Sequence, residues 1–186
     1  MSIWTDLWNL FFPHSCLLCG RQLISGERVL CLKCLSRLPR TQFHLRKDNI
    51  VECNFWGKIP VERATSFLYY AKGGNVRQLL YELKYHGNQE VGEVMGRMMA
   101  SELMCSHFFD GIDLIVPVPL HQRKKRLRGY NQSECLARGV SVVTGIPMNT
   151  KVVIRSRYTD TQTHKGQYAR SVSYTHLRAH ETLSDL

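Results

Sequence analysis

No stretch of this chain approaches the roughly 18 consecutive apolar residues of a membrane span, so its 186 residues read as a protein that does not cross a bilayer. No secretory leader is expected either. The opening Ser2 to Phe12 carries Asp6, has no basic stretch ahead of it and no small-residue cleavage site behind it. The expected compartment is therefore the cytoplasm. Negative charge is scarce, with 15 acidic residues against 25 lysines and arginines and a formal net charge of +10. That balance favours anionic partners without separating a polymer from a small molecule, and it says nothing about fold.

What is present is a globular composition, 44% hydrophobic and 22% charged. It suits one ordinary domain with a small appendage. Ile3, Leu7, Leu10 and Phe11 recur at helical spacing beside Trp4 and Trp8, which predicts an amphipathic helix within residues 1–12. Its apolar face can dock on its own domain, a membrane interface or a partner helix.

The cysteines carry the most specific pattern. Cys16-Leu-Leu-Cys19 and Cys31-Leu-Lys-Cys34 are two knuckles whose spacing brings four thiolates to one tetrahedral point, as a structural Zn2+ site requires. A pair of disulfides and a redox dithiol are the competing readings, weakened by the expectation of no leader and by the lack of a strand-helix-strand context. An all-thiolate site is coordinatively closed, so its metal folds the chain and performs no chemistry. Residues 13–38 thus read as a metal-stapled module. Cys53, Cys105 and Cys135 stand alone and read as small buried hydrophobes.

Residues 39–60, with Pro39, Pro60 and little periodicity, read as a connector. The main domain is expected over 61–170. Ala64 to Ala71 has aromatic strand character, broken by Gly73-Gly74. Val76, Leu79, Leu80 and Leu83 then predict a helix closing at Lys84-Tyr85-His86-Gly87, and a second helix fits Glu90 to Ser106. Ile112 to Val118 suits a buried parallel strand, Gln132 to Val143 a helix, and Lys151 to Ile154 another strand. The alternation predicts an α/β domain with a mostly parallel sheet, whose ligands bind at the carboxyl ends of strands.

That rule focuses attention on Pro117 to Gln132, where an apolar run ends in Pro117 and Pro119 and then gives Arg123, Lys124, Lys125, Arg126 and Arg128. Three uses fit such a run: holding a diphosphate, holding a nucleic-acid backbone, or forming a solvated face. His121 suits structural hydrogen bonding. Tyr130 and Asn131 can orient the loop, touch a substrate or begin the next helix, since Asn caps helices well.

Two cysteine knuckles, Leu83-Lys-Tyr-His-Gly87, Val116-Pro-Val-Pro-Leu-His121, Arg128-Gly-Tyr-Asn-Gln132 and Asp160-Thr-Gln162 follow one another in order. Together they resemble the ComF family of bacterial competence-associated, phosphoribosyltransferase-like proteins from about Phe11 to Arg170. The resemblance implies a zinc-ribbon-like module followed by a type I phosphoribosyltransferase fold. It also implies phosphoribosyl pyrophosphate with Mg2+ as ligand, met by Pro119, His121, Arg123 to Arg126 and Arg128, Gly129, Tyr130 and Asn131. A mobile loop would begin near Arg157, Thr161 and Gln162. Cations at a strand end can hold a diphosphate and stabilise its charge as it leaves. A second implication, of a different class, is a non-catalytic module gripping single-stranded DNA alongside other competence proteins.

The family's pair of adjacent acids followed by a Thr/Gly-rich turn has no counterpart in this sequence. Residues 171–186 instead include Ser173 to Thr182, which resembles a translated sequencing adapter. The expectation is therefore an incomplete phosphoribosyltransferase-like domain with a foreign tail, inactive as it stands, in which His176, Arg178, His180 and Glu181 have no role.

Overall fold

A computed structural model describes residues 14–156, Tyr158 and the backbone of Leu177–Ala179. The expected N-terminal helix, the loop at Arg157, Thr161 and Gln162, and most of the expected tail lie outside these residues. Among them, no helix is long and apolar enough to cross a membrane.

The cysteine module opens the described chain. Its second knuckle runs into a short helix, α1 (Leu32–Ser36), whose N-cap is Cys31. The expected connector is ordered rather than irregular. A 3-10 turn at Phe43–Leu45 precedes α2 (Ile50–Cys53), where Asn49 and Glu52 form a reciprocal capping box. Arg40 makes an antiparallel bridge with Leu68 and an ion pair with Glu102, so this segment is tied to the main body at both backbone and side chain.

Four further helices follow, α3 (Asn75–Tyr85), α4 (Gln89–Met104), α5 (Gln122–Arg128) and α6 (Gln132–Thr144). In α3, Val76, Leu79 and Leu83 form a buried stripe at the expected spacing. The expected helices over Glu90 to Ser106 and Gln132 to Val143 are present within two residues at each end. What composition alone does not announce is how closely α4 and α6 cross. A methyl group at Gly96 would stand 2.1 Å from the Leu136 carbonyl oxygen, and one at Gly139 would stand 2.2 Å from that of Glu93. These glycines let the two backbones touch, at some cost in helix propensity.

Of the mostly parallel sheet expected from the alternation, the described residues form one parallel bridge, Ile115 to Met148. Pro117 and Pro119 have no N–H to donate, so ladder bonding is confined to Ile115, which donates to Pro147 and accepts from Asn149. Nor is the run buried on both faces: Ile112, Leu114, Val116 and Val118 are each 38–50% exposed. The expected strand at 64–71 reduces to the bridge at Leu68. A two-stranded antiparallel ribbon, β1 (Val153–Arg155) with β2 (Leu177–Ala179), completes the regular structure of the described residues.

One continuous core joins the cysteine module to the helices. Cys16, Val29, Leu30, Cys31 and Leu38 pack in the same cluster as Leu79, Leu83, Val91, Tyr130 and Cys135. Fully burying an aliphatic side chain contributes about 1.5–3 kcal/mol, so module and helices stabilise each other. Among the lone cysteines only Cys135 is buried; Cys53 and Cys105 are exposed, contrary to expectation. Each lies at a helix end, where its Sγ meets a backbone carbonyl near the surface.

Candidate functional site

The four knuckle cysteines come together as their spacing requires, with all sulfurs within 4.8 Å of one another. Tetrahedral bonds of about 2.3 Å to zinc would set sulfurs roughly 3.8 Å apart; Cys19 Sγ and Cys31 Sγ stand at 3.7 Å. That is far beyond the roughly 2.05 Å of a disulfide. The first knuckle turns tightly. Gly20 takes φ +71°, a conformation that disfavours side chains, and donates to the Cys16 carbonyl at 2.8 Å.

Backbone amides converge on the sulfurs. Burial pushes the Cys16 thiol up, but amides of Cys31, Leu18 and Cys19 outweigh it and pull the group down to about 6. The amide of Cys34 likewise lowers Cys31, whereas burial and neighbouring sulfurs push Cys34 up to about 12. Sulfurs this close repel as thiolates, and a dication at their centre offsets that repulsion. The donor set therefore fits a structural zinc ion. Arg21 and Glu27 brace the cluster from outside: their side chains pair at 3.0 Å, and Glu27 accepts from the Ile24 and Leu32 amides. Sequence reading passed over this pair, although opposite charges between two knuckles are a usable signal.

The basic run is a helix rather than a loop. His121 caps α5 by accepting from the Arg123 amide at 3.2 Å, and Gly129 ends it at φ +79°. Glutamine, lysine, arginine and leucine are good helix formers, which explains the difference. The five cations are not equivalent. Lys125 is paired with Glu134 at 2.9 Å. Arg123 and Lys124 lie 5.5 and 5.3 Å from the Tyr158 ring centroid, and Arg128 lies 5.9 Å from that of Tyr85. Arg126 has no ion-pair partner among the described residues.

Tyr130 and Asn131 turn inward. The Tyr130 hydroxyl donates to the Leu83 carbonyl, and Asn131 Nδ2 donates to the Val118 carbonyl at 3.0 Å while its Oδ1 caps α6. Both are buried, so they orient α5 instead of facing solvent. Pro119 is half-buried at the approach to α5. Sequence reading overlooked Glu134 and Tyr158, whose partners are distant along the chain.

These interactions bring two sequence motifs together. A cleft of about 450 Å³ is lined by Lys84, Tyr85, His86 and Gly87 from the end of α3, and by Leu127, Arg128 and Tyr130 from the end of α5. Partial burial, then the Arg128 guanidinium, lowers the pKa of Lys84. Two helix C-termini meet here, and their free carbonyls make a negative field that Lys84 and Arg128 offset. Arg126 lies two residues before Arg128 on the same short helix, toward its opposite side.

The chain is similar to DNA utilization proteins. Over 150 residues, 79% of the chain, it is 29% identical to DNA utilization protein YhgH of Escherichia coli K12, matching 62% of that protein. The protein of the same name from Shigella flexneri is 28% identical over the same length. That from Salmonella typhi is 30% identical over 89 residues, 46% of this chain and 39% of that protein. The match thus spans less than two thirds of the length of these curated relatives. No family model matches the chain, and no solved structure matches it.

Proposed function

We propose that this chain is part of a ComF-type protein of DNA utilization, in which a zinc-stapled module supports a cleft that binds phosphate groups. The observation that carries this reading is the convergence of Lys84-Tyr-His-Gly87 with Leu127, Arg128 and Tyr130 on one cleft, with two cations at its wall. Lys84 is a compact, exposed ammonium, and Arg128 is a planar donor; together they suit a diphosphate. The family resemblance makes phosphoribosyl pyrophosphate the specific candidate. No carboxylate lines this cleft among the described residues, so Mg2+ would arrive on the ligand's own oxygens. The chain's residues would then hold and orient the diphosphate and shield part of its charge.

Titration calorimetry with inorganic pyrophosphate, with and without Mg2+, tests the reading. Saturable binding that Lys84→Ala and Arg128→Ala each weaken by about tenfold or more supports it. Unchanged binding in both variants removes the cleft from consideration.

A second reading, single-stranded DNA binding without catalysis, is favoured by a specific observation: the basic residues sit beside tyrosine rings. Cations interleaved with aromatics are the usual equipment of single-strand binding surfaces. The names of the relatives agree with either ligand.

A further inference from the structure

The outer face of α3 is neither core nor ordinary solvated surface. Its inner stripe, Val76, Leu79 and Leu83, is 2–7% exposed, whereas Tyr81 and Tyr85 on the other side are 49% and 55% exposed. Two tyrosines one helical turn apart, left half in water, are costly to leave unpartnered. They lie against each other with ring centroids 4.8 Å apart, and His86 meets Tyr81 edge-on at 5.2 Å.

Cations continue this aromatic pair at both ends. Arg77, one turn before Tyr81, lines a second cavity of about 370 Å³ with Gly73, Gly74, Gln78 and Tyr81. Lys84 and Arg128 line the cleft on the Tyr85 side. From Arg77 to Tyr85 is eight residues, about 12 Å along the helix. The two cavities are therefore connected by a ridge of aromatic rings with positive charge at either end. Glu82, the one acid on this helix, is engaged with His86 at 2.8 Å.

A lone diphosphate would use only one end of this arrangement. We propose that the outer face of α3 is a track for single-stranded nucleic acid, with bases stacking on Tyr81 and Tyr85 and phosphates held by Arg77 at one end and by Lys84 and Arg128 at the other. This rests on the reading that the cleft binds phosphate, and it assigns the ligand's class. Stacking on a ring needs a base freed from its pair, so the track selects single strands over duplex. Its indifference to base identity follows from every base having a π-face.

The test uses the full chain and a labelled deoxythymidine oligomer of about twelve nucleotides, read by fluorescence anisotropy beside pyrophosphate calorimetry. Changing Tyr81→Ala and Tyr85→Ala together should weaken oligomer binding by about tenfold or more, and Tyr81→Ala alone, outside the lining of the cleft, should weaken it about fivefold while leaving pyrophosphate binding unchanged and the thermal melt in place. The Tyr81→Phe, Tyr85→Phe pair should restore oligomer binding, because the ring and not the hydroxyl carries it. Oligomer binding unaltered in the double alanine variant overturns the track while sparing the cleft. Oligomer and pyrophosphate binding both unaltered by Lys84→Ala with Arg128→Ala overturn the cleft, and the track with it. Equal affinity for a duplex of the same length also overturns the track.

Discussion

The buried hydroxyl of Tyr130 donates a hydrogen bond to the backbone carbonyl of Leu83, 47 residues earlier in the chain. Leu83 stands in the last turn of α3, and Tyr130 follows the glycine that ends α5, so this one bond sets the distance between the two walls of the cleft. Next to it, Asn131 fastens the end of the Ile112 to Val118 run through the Val118 carbonyl. The approach to the basic helix and its exit are thereby both fixed to buried structure.

Tyr130→Phe keeps the ring and removes the donor, leaving the Leu83 carbonyl buried without its partner. The expected loss is about 1–3 kcal/mol of stability, read from urea denaturation. The same variant should weaken pyrophosphate binding, because Lys84 and Arg128 lose their common reference point. Loss of stability with undiminished binding would separate the bond from the cleft.

The crossing of α4 and α6 gives a sharper expectation. Gly139→Ala would drive a methyl group into the Glu93 carbonyl, and both partners are backbone that cannot swing aside. Destabilisation of about 3 kcal/mol or more follows from overpacking of this kind. Gly145→Ala, at an exposed helix end with φ +74° and open space around it, should cost roughly 1 kcal/mol from backbone strain alone. Denaturant midpoints of the two variants, compared side by side, check the ranking.

Much of this is legible in the sequence alone. The knuckles, the helix at Val76 to Leu83 and the Asn131 cap follow from short-range spacing, because ligands, stripes and caps are set by residues within one or two turns. The glycine crossing between α4 and α6 is not legible: Gly92, Gly96 and Gly139 read alone as weak helix formers, and only the crossing gives them a purpose. The basic run misleads in the same way. Its charges suggest a loop, while its residue types and the flanking His121 and Gly129 specify a helix. The parallel strand at Ile112 to Val118 is read from hydrophobicity, yet the two prolines that make the stretch conspicuous also restrict its ladder to a single bridge.

Metal content can be measured directly. Reductively purified protein should contain about one zinc per chain, released by a thiol-modifying reagent. Since Cys16 and Cys31 share a core with Leu79 and Leu83, release should reduce hydrogen-exchange protection in α3 as well as in residues 16–38. Cys19→Ser, which alters the exposed ligand, should give weaker metal retention with smaller losses than Cys31→Ser, which alters a fully buried one. A zinc-free protein with full protection in both regions would contradict the assignment.

The last prediction concerns which cations of α5 act on a ligand. Lys125 is already neutralised by Glu134, and that exposed pair adds at most about 1 kcal/mol to stability. Lys125→Ala should therefore change anion affinity little. Arg128 lines the cleft and Arg126 has no ion-pair partner among the described residues, so Arg126→Ala with Arg128→Ala should weaken anion binding by an order of magnitude or more with little change in melting temperature. Salt separates the ligands: for a single strand, removing one cation that neutralises a phosphate should reduce the slope of log affinity against log salt by about 0.7. For inorganic pyrophosphate, binding should fall with the same variants but without a slope that grows with ligand length. If Lys125→Ala proves as damaging as the Arg126, Arg128 pair, then Lys125 exchanges Glu134 for the ligand, and the division of labour along α5 drawn from its resting ion pairs is wrong.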